Sequence, residues 1–246
     1  MIINMMRNLL ISLVLALPLS VQAAGSVKLD KAPINPKNNA SLQRGAKTFV
    51  NYCLNCHSAA YMRYNRLTEI GLSEKQIESN LLFTADKVGD PMATAMAKSD
   101  GSHWFGVAPP DLSVETRARG ADWLYSYMRG FYRDSSTLTG WNNVVFDKVA
   151  MPHVLWQLQG EQVLKAESDA DSHGSSATAR LVLDKPGLLS PQEYNALVAD
   201  LVNYMVFMSE PAKQQRLHLG VFVLLFLGVL LVLTYFLKKE FWKDVQ

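Results

Sequence analysis

The chain has 246 residues, and its 24 Lys and Arg residues nearly balance its 22 Asp and Glu residues, which gives a formal net charge of +2. This balance lacks the basic excess that nucleic-acid-binding proteins use, so a nucleic-acid partner is not expected. Hydrophobic residues make up 49% of the chain. Long apolar runs lie near both ends, and we therefore interpret the ends separately from the middle.

The N-terminal residues 1–23 have the composition of a secretory signal peptide. Arg7 precedes a short apolar run at residues 9–17, and small residues lead up to a predicted cleavage after Ala23. The alternative is a first transmembrane helix, but the apolar run is too short to cross a bilayer. Residues 24–216 are then an exported domain, which in a bacterium lies in the periplasm.

The exported domain begins with an extended segment followed by a helix. Residues 28–39 include two prolines and are predicted to be extended. Ser41 is the predicted N-cap of a helix whose apolar residues continue at helical spacing into a Cys-x-x-Cys-His sequence at residues 53–57. Glycine costs a helix about 1 kcal/mol, so Gly45 predicts close packing against another element.

Later segments of the domain divide into loops and helices. Residues 87–111 and 167–179 are rich in small and polar residues and are predicted to be irregular. A short helix is expected at residues 121–129. The last helix is the clearest, because Ser-Pro-Gln-Glu at residues 190–193 is a capping box with proline at the first helical position, and Pro211 ends it. No stretch alternates as a sheet, so the predicted fold class is mainly α, with at most a short hairpin.

The C-terminal region is predicted to anchor the chain in a membrane. Residues 217–237 contain no Asp, Glu, Lys or Arg and would extend about 31 Å as a helix, which is enough for a hydrocarbon core. Lys238 and Lys239 follow directly. Because basic residues favour the cytoplasmic side, residues 238–246 are predicted to be a cytoplasmic tail, and the signal peptide requires the same orientation.

Only two cysteines occur in the chain, Cys53 and Cys56, and His57 follows them. In an exported protein this motif attaches a c-type haem, because the two thiols bond to the two vinyl groups and the histidine becomes the proximal iron ligand. The alternatives are a disulfide, part of a zinc site, or a thioredoxin-type redox pair. Zinc would need further clustered ligands and a thioredoxin-type pair would need a βαβ unit, and the sequence predicts neither.

A low-spin haem that carries electrons needs a sixth iron ligand, for which His and Met are both suitable. After signal removal the candidates are the methionines at 62, 92, 96, 128, 151, 205 and 208 and the histidines at 103, 153, 173 and 218. Met151 is favoured because Pro152 follows it and an irregular stretch precedes it. A rigid loop of this kind can hold a ligand over an iron.

Several motifs occur together in the order found in one family. They are Arg44-Gly45-Ala46, Cys-x-x-Cys-His-Ser at residues 53–58, Ala108-Pro109-Pro110-Asp111-Leu112-Ser113, Arg117-Ala118-Arg119-Gly120 and Met151-Pro152. With these motifs and its C-terminal anchor, the chain resembles cytochrome c1, the haem subunit of the cytochrome bc1 complex, over essentially its whole mature length. The resemblance implies a cytochrome c-type haem domain with extended loops, plus one C-terminal transmembrane helix.

The resemblance also implies how the cofactor is held. Cys53 and Cys56 would bind one haem c covalently. His57 and Met151 would be the two axial ligands of its iron.

Three further residues acquire roles from the resemblance alone. Arg119 would pair with a haem propionate through its guanidinium fork, whereas without the resemblance it would be interpreted as an exposed helix-flanking charge. Pro110 would pack near the haem. Trp123 would replace a family tyrosine that meets the haem, and its indole nitrogen is its only hydrogen-bond donor.

The function implied is electron transfer in a respiratory chain, as part of ubiquinol:cytochrome c oxidoreductase, with no catalytic residue in this chain. A Rieske iron–sulfur protein would reduce the haem, a c-type cytochrome would oxidise it, and a cytochrome b subunit would oxidise the quinol. The complex would be dimeric and lie in a bacterial inner membrane. Two alternatives remain open: another membrane-anchored cytochrome c, and a haem enzyme or gas sensor with an open sixth position that binds CO.

Overall fold

The computed structural model describes residues 27–166 and 179–244. The predicted signal peptide at residues 1–23 lies outside the described residues, as does the predicted loop at 167–179 except for Ala179. Ala179 begins a strand, so the predicted loop extends one residue too far.

Helices dominate the described structure, which confirms the predicted mainly α fold class. A π-helical turn at Phe49–Cys53 continues the first helix, and a 3-10 helix occupies Tyr64–Ile70. The short helix predicted at residues 121–129 is confirmed. The α-helices are α1 (Asn39–Thr48), α2 (Glu74–Asn80), α3 (Lys98–Phe105), α4 (Glu115–Arg119), α5 (Ala121–Arg129), α6 (Trp156–Gln159), α7 (Pro191–Ser209) and α8 (Lys213–Phe241).

Three antiparallel two-stranded sheets lie within the described residues, whereas the sequence predicted at most one hairpin. The pairs are β1 (Ala59–Arg63) with β2 (Pro91–Met92), β3 (Phe131–Arg133) with β4 (Trp141–Asn143), and β5 (Gly160–Ala166) with β6 (Ala179–Pro186). In the second pair Tyr132 lies opposite Asn142, and in the third Val163 lies opposite Val182. Strands β2, β3 and β4 have only two or three residues, which is too short to show alternation in the sequence, so the two sheets that they help to form were missed.

Helix α1 begins at a different residue from the one predicted. Asn38 is the N-cap, and its side-chain oxygen accepts the N–H of Ser41 at 3.1 Å. Ser41 therefore lies inside the first turn, and its buried hydroxyl accepts a hydrogen bond from Asn203 of α7 at 2.9 Å. The prediction of Ser41 as the cap was wrong because Asn and Ser are about equally good caps, and a tertiary contact of Ser41 decides between them.

The close packing predicted at Gly45 is confirmed at the crossing of α1 and α7. A Cβ atom on Gly45 would overlap the backbone carbonyl of Asp200 and would lie 2.6 Å from the Cβ of Tyr204. Beside this contact, the Arg44 guanidinium pairs with the Asp200 carboxylate at 2.6 Å. The lack of a side chain at Gly45 therefore permits α1 and α7 to pack in direct contact at Asp200 and Tyr204.

Helix α7 has both of the predicted boundaries. The Ser190 hydroxyl accepts the N–H of Glu193, the Glu193 carboxylate accepts the N–H of Ser190 at 2.9 Å, and Pro191 is the first helical residue. The helix ends at Ser209, two residues before Pro211. Its apolar side packs against α1 and α5, and the buried side chains there include Leu42, Phe49, Leu124, Val198 and Tyr204.

The segment predicted to be irregular at residues 87–111 contains regular structure, which corrects that prediction. It includes strand β2 and the eight-residue helix α3, whose sequence is rich in weak helix formers and which has no side-chain cap. A Cβ on Gly101 would lie 2.6 Å from the ring of Pro109, so this helix is held by tertiary packing that its local sequence does not reveal.

Helix α8 includes the predicted anchor at 217–237. Residues Arg216–Phe241 are long and apolar enough to cross a membrane, and none of the most apolar window packs inside the described protein. The helix continues through Lys238 and Lys239 to Phe241.

Replacing Gly45 by Ala tests the contact between α1 and α7. In the detergent-solubilised full chain, Gly45→Ala is expected to lower the free energy of unfolding by about 1–3 kcal/mol, because overpacking outweighs the helix propensity that Ala gains over Gly. Thermal unfolding followed by circular dichroism measures the change. Gly89→Ala is the matched control, because a Cβ there would have no neighbour within 4 Å. Equal melting temperatures for the two variants would contradict the close approach.

Candidate functional site

One largely apolar pocket is lined by all seven residues that the sequence analysis selected. They are Cys53, Cys56, His57, Pro110, Arg119, Trp123 and Met151. With its open mouth, the pocket encloses an empty volume of about 1150 Å³. Its walls come from segments far apart in the sequence: the end of α1, the loop before α4, helices α4, α5 and α7, and the loop that precedes α6.

The two cysteines enter the pocket from the turn that follows α1. The N–H groups of Cys56 and His57 both donate to the carbonyl of Cys53, at 3.1 and 2.9 Å, so the chain reverses tightly here. Both thiols are free. Burial raises the pKa of Cys53 to about 12 and also raises the pKa of Cys56, which keeps both thiols neutral.

These features count against the alternatives to haem attachment. The thiols are not joined in a disulfide. A thioredoxin-type pair needs a thiolate, which burial of Cys53 opposes. A zinc site needs clustered ligands, and the part of the chain that the structure describes has no group of three His, Cys, Asp or Glu side chains that could hold a metal ion.

His57 is held by a single defined contact. Its Nδ1 lies 2.7 Å from the backbone carbonyl of Pro110, which can only accept a hydrogen bond, so Nδ1 carries the proton. Burial lowers the pKa of His57, although this hydrogen bond and the nearby Glu115 and Asp111 act in the opposite direction. The imidazole is therefore neutral near pH 7, and its Nε2 lone pair is available to a metal.

The segment around Pro110 is fixed to the residues that follow the histidine. The N–H of Leu112 donates to the carbonyl of Ser58 at 2.8 Å, and the Asp111 carboxylate accepts the N–H of Ala60 at 2.9 Å. The hydroxyl of Ser113 accepts the N–H of Tyr61 at 3.1 Å. Pro110 therefore contributes its backbone carbonyl, which orients His57, and this contact was not predicted from the sequence.

The loop that carries Met151 is built around two buried asparagines. The side-chain amide of Asn142 donates to the carboxylates of Asp134 and Asp147 at 2.9 and 3.0 Å. Its oxygen accepts the N–H of Lys148, a residue with φ of 56°, at 2.8 Å. These contacts fix a loop that ends with Met151 at the pocket wall.

Asn143 and Tyr127 connect this loop to helix α5. The amide of Asn143 donates to the carbonyl of Tyr127 at 2.8 Å. The Tyr127 hydroxyl donates to the sulfur of Met151 at 3.4 Å. Burial raises the pKa of Tyr127 above its ordinary value, so the hydroxyl keeps its proton.

Arg119 lies at the end of α4, where its side chain is partly exposed and lines the pocket. Its guanidinium forms an ion pair with Glu115, one turn earlier, and stands 4.5 Å from the ring of Trp123. The Trp123 ring in turn stacks on Tyr127 at 4.8 Å and 11°. Glu115 and Tyr127 were not selected from the sequence; Trp123 and Tyr127 are one turn apart on α5, whereas Arg119 ends α4 and Gly120 separates the two helices.

The other candidates for a sixth ligand fall into three groups. Met128 and Met205 also line the pocket and are almost fully buried. Met62, Met92 and Met208 belong to the core and are not part of the pocket lining, and neither is the half-buried Met96. His153 is buried and stacks on Phe131 at 4.8 Å, His103 and His218 are exposed, and His173 lies outside the described residues.

The pocket fits a haem by the chemistry of its lining. It presents two neutral thiols at the required spacing, a neutral imidazole with an oriented ring, and a thioether sulfur. Its walls are mostly apolar, as cofactor sites are, and Arg119 supplies a cation for a carboxylate of the ligand.

Comparisons with known proteins point in the same direction. A family model described as the Cytochrome C1 family matches residues 30–173 and 190–245. The chain is 46% identical over 244 residues to cytochrome c1 of Allochromatium vinosum, covering 98% of this chain and 100% of that protein. It is 53% identical over 243 residues to a Nitrosomonas europaea protein named ammonia monooxygenase gamma subunit, covering 99% and 100%. It is also 22% identical over 241 residues to mitochondrial cytochrome c1 of Saccharomyces cerevisiae, covering 87% and 70%.

Proposed function

The chain belongs to the cytochrome c1 family, and we propose that it passes electrons from a Rieske iron–sulfur protein to a c-type cytochrome. Membership in the family makes it a haem-bearing electron-transfer subunit of the cytochrome bc1 complex. The observation that carries the proposal is the single pocket in which Cys53, Cys56, His57 and Met151 meet. When bound, the haem supplies one-electron exchange between the ferrous and ferric states of its iron.

The cysteines provide the permanent attachment in this proposal. Each thiol would add across one vinyl group of the haem, forming a carbon–sulfur bond, with the thiol hydrogen moving to the neighbouring carbon. Burial of Cys53 supports this role, because a neutral, enclosed thiol is protected from oxidation before attachment. The tight turn at Cys53 brings His57 into the pocket as the proximal ligand.

Pro110 and Met151 complete the iron site. The Pro110 carbonyl holds the proton of His57 on Nδ1, which fixes the ring orientation and increases its basicity as a ligand. Met151 is the proposed sixth ligand, and its thioether favours the reduced state of the iron. If His57 and Met151 both held the iron, no position would remain for a substrate, and the chain would carry electrons only.

The mouth of the pocket holds the charged groups. We assign Arg119 to a haem propionate, with Glu115 as the partner that keeps the guanidinium in place. Trp123 supports the guanidinium from the side of α5. Its ring packs between Arg119 and Tyr127, which is a packing role in place of the hydrogen bond expected of a tyrosine.

The placement in the membrane follows from both ends of the chain. Residues 1–23 are the proposed signal peptide, residues 24–216 the periplasmic haem domain, residues 217–237 the anchor and residues 238–246 the cytoplasmic tail. Helix α8 has the length and composition that an anchor in the bacterial inner membrane requires. Proposed partners are a cytochrome b subunit and a Rieske protein, in a dimeric complex.

Purification from the native membrane in a gentle detergent tests the function. A cytochrome b and a Rieske protein are expected to co-purify with this chain, and quinol-dependent reduction of its haem is expected in the preparation. Isolation of the chain with neither protein would favour another membrane-anchored cytochrome c. Isolation with subunits of an ammonia monooxygenase would instead indicate that this chain has the role named for its relative in Nitrosomonas europaea.

Haem attachment is expected to be covalent, with one carbon–sulfur bond to each of the two cysteines. The unchanged protein should show haem peroxidase stain on a denaturing gel, and the Cys53→Ala, Cys56→Ala double variant should show none. Each single variant keeps one carbon–sulfur bond and should still stain. Complete extraction of haem from the unchanged protein by acid–acetone would contradict covalent attachment.

Met151→Leu tests the sixth ligand. The variant should show a large fall in reduction potential, lose the sulfur–iron charge-transfer band and bind CO, because Leu offers no donor. The fold should survive, since this swap conserves volume and costs less than about 1.5 kcal/mol.

Met128→Leu and Met205→Leu are the matched controls, because both methionines line the same pocket. Each should keep the charge-transfer band and resist CO. An unchanged spectrum in Met151→Leu, together with loss of the band in one control, would assign the ligand to that other methionine.

A further inference from the structure

The sulfur of Met151 already has a hydrogen-bond donor inside the pocket. The hydroxyl of Tyr127 donates to it over 3.4 Å, which is within the range for a sulfur acceptor. Tyr127 is only 7% exposed, so water competes little for this hydroxyl. A buried hydroxyl is expected to have a partner, and here that partner is the proposed sixth ligand.

The ring of Tyr127 is held on both sides. It stacks on Trp123 at 4.8 Å and 11°, and it meets the edge of Phe131 at 5.1 Å and 67°. Arg119, Trp123, Tyr127 and Phe131 therefore form a continuous ladder at four-residue spacing, and the ladder continues through Phe131 onto His153. A ring fixed in this way directs its hydroxyl to one place.

The loop side of the contact is equally constrained. Asn143 bonds to the carbonyl of Tyr127, so the loop before Met151 is tied to the residue that contacts the sulfur. A thioether sulfur has two lone pairs. If Tyr127 occupies one, the other is left to face the pocket, and the hydrogen bond thereby selects the orientation of the methionine side chain.

We propose that Tyr127 is a positioning residue for the sixth ligand: its hydroxyl orients the Met151 sulfur and withdraws electron density from it. This inference rests on the proposed function, in which Met151 binds the haem iron. When the sulfur donates less electron density, the ferric iron loses more stabilisation than the ferrous iron does. The hydrogen bond therefore raises the reduction potential of the haem.

Tyr127→Phe removes the hydroxyl and keeps the ring in the ladder. In the detergent-solubilised complex, the variant is expected to change the oxidation equilibrium roughly threefold toward the ferric form, which is a fall of about 30 mV at about 59 mV per tenfold for one electron. The sulfur–iron charge-transfer band should also shift. Redox titration followed by visible spectroscopy records both.

Tyr125→Phe is the matched control. Tyr125 lies on the same helix, is also 7% exposed, and packs under the guanidinium of Arg129 at 4.4 Å. The Tyr125→Phe variant loses a hydroxyl that does not contact Met151, so the reduction potential and spectrum of this variant should equal those of the unchanged protein. If the two variants behaved alike, the assignment to Tyr127 would be overturned.

A double-mutant cycle separates this proposal from the function on which it rests. In a Met151→Leu background, Tyr127→Phe should no longer shift the potential, because the sulfur is gone. A full shift in that background would show that Tyr127 acts by another route and would overturn the proposal. An unchanged potential in Met151→Leu alone would instead overturn Met151 as the ligand.

A second substitution protects the test against misfolding of the Phe variant. Site-specific 3-fluorotyrosine at position 127 is a stronger hydrogen-bond donor of nearly the same size. It is expected to raise the potential, opposite in sign to the Phe variant. A fall, or no change, would contradict an electron-withdrawing hydrogen bond.

Discussion

The hydrogen bond between the His57 imidazole and the Pro110 carbonyl is the contact on which the pocket depends. It joins two parts of the chain that are 53 residues apart. Two consecutive prolines restrict the backbone at the acceptor, so the carbonyl is presented rigidly. The neighbouring bond between Leu112 and Ser58 keeps the two segments in register. Without this junction, nothing in the segment around Pro110 would fix the orientation of the His57 ring in the pocket.

The wall of the pocket that carries Met151 is held by a different kind of interaction, namely hydrogen bonds of buried side chains. There the chain has no helix to orient Met151, and the loop is held by the side-chain amides of Asn142 and Asn143. Both amides are buried, so any hydrogen bond that they lost would leave an unpaired polar group in a dry environment. The wall on the His57 side depends mainly on the backbone carbonyls of Pro110 and Ser58, with the side chains of Asp111 and Ser113 in support. The distal wall depends on particular polar side chains, and Tyr127 extends the same dependence to the sulfur itself.

The range of an interaction along the chain decides what the sequence could predict. The capping box at residues 190–193 and helix α5 are local, and both were predicted correctly. The closeness of α1 to another element followed from Gly45, although the sequence could not identify α7 as the partner. The N-cap was misplaced and helix α3 was missed because distant contacts decide them. Strands β2, β3 and β4 were missed because they are too short to show a pattern.

The residues of the candidate site also fall into two groups, those that the sequence predicts and those that only the folded structure reveals. Six of the seven residues selected from the sequence belong to short motifs, and Trp123 was selected from the family resemblance alone; the structure brings all seven to one pocket. The residues that were missed, Glu115, Tyr127 and Asn142, act on those motifs through side-chain contacts that form only after folding. Tyr127 had a weak signal in its spacing of one helical turn from Trp123, but Asn142 had none beyond its place in an irregular stretch.

In the proposed membrane placement, a short series of contacts connects the anchor helix α8 to the pocket. Glu210 follows α7 directly and pairs with Arg216 at 2.9 Å, with Lys213 at 3.5 Å and with Arg117 at 3.7 Å, so the start of α8 is tied to the domain by charge. Surface ion pairs are individually weak, but three cations on one carboxylate restrict the link more than one pair would. Helix α7 then meets α1 at Gly45 without room for a side chain, and α1 leads straight into the haem-binding turn. Only residues 210–212 separate α7 from α8, so the path from the proposed anchor to the pocket runs almost entirely through helices, joined by the ion pairs of Glu210.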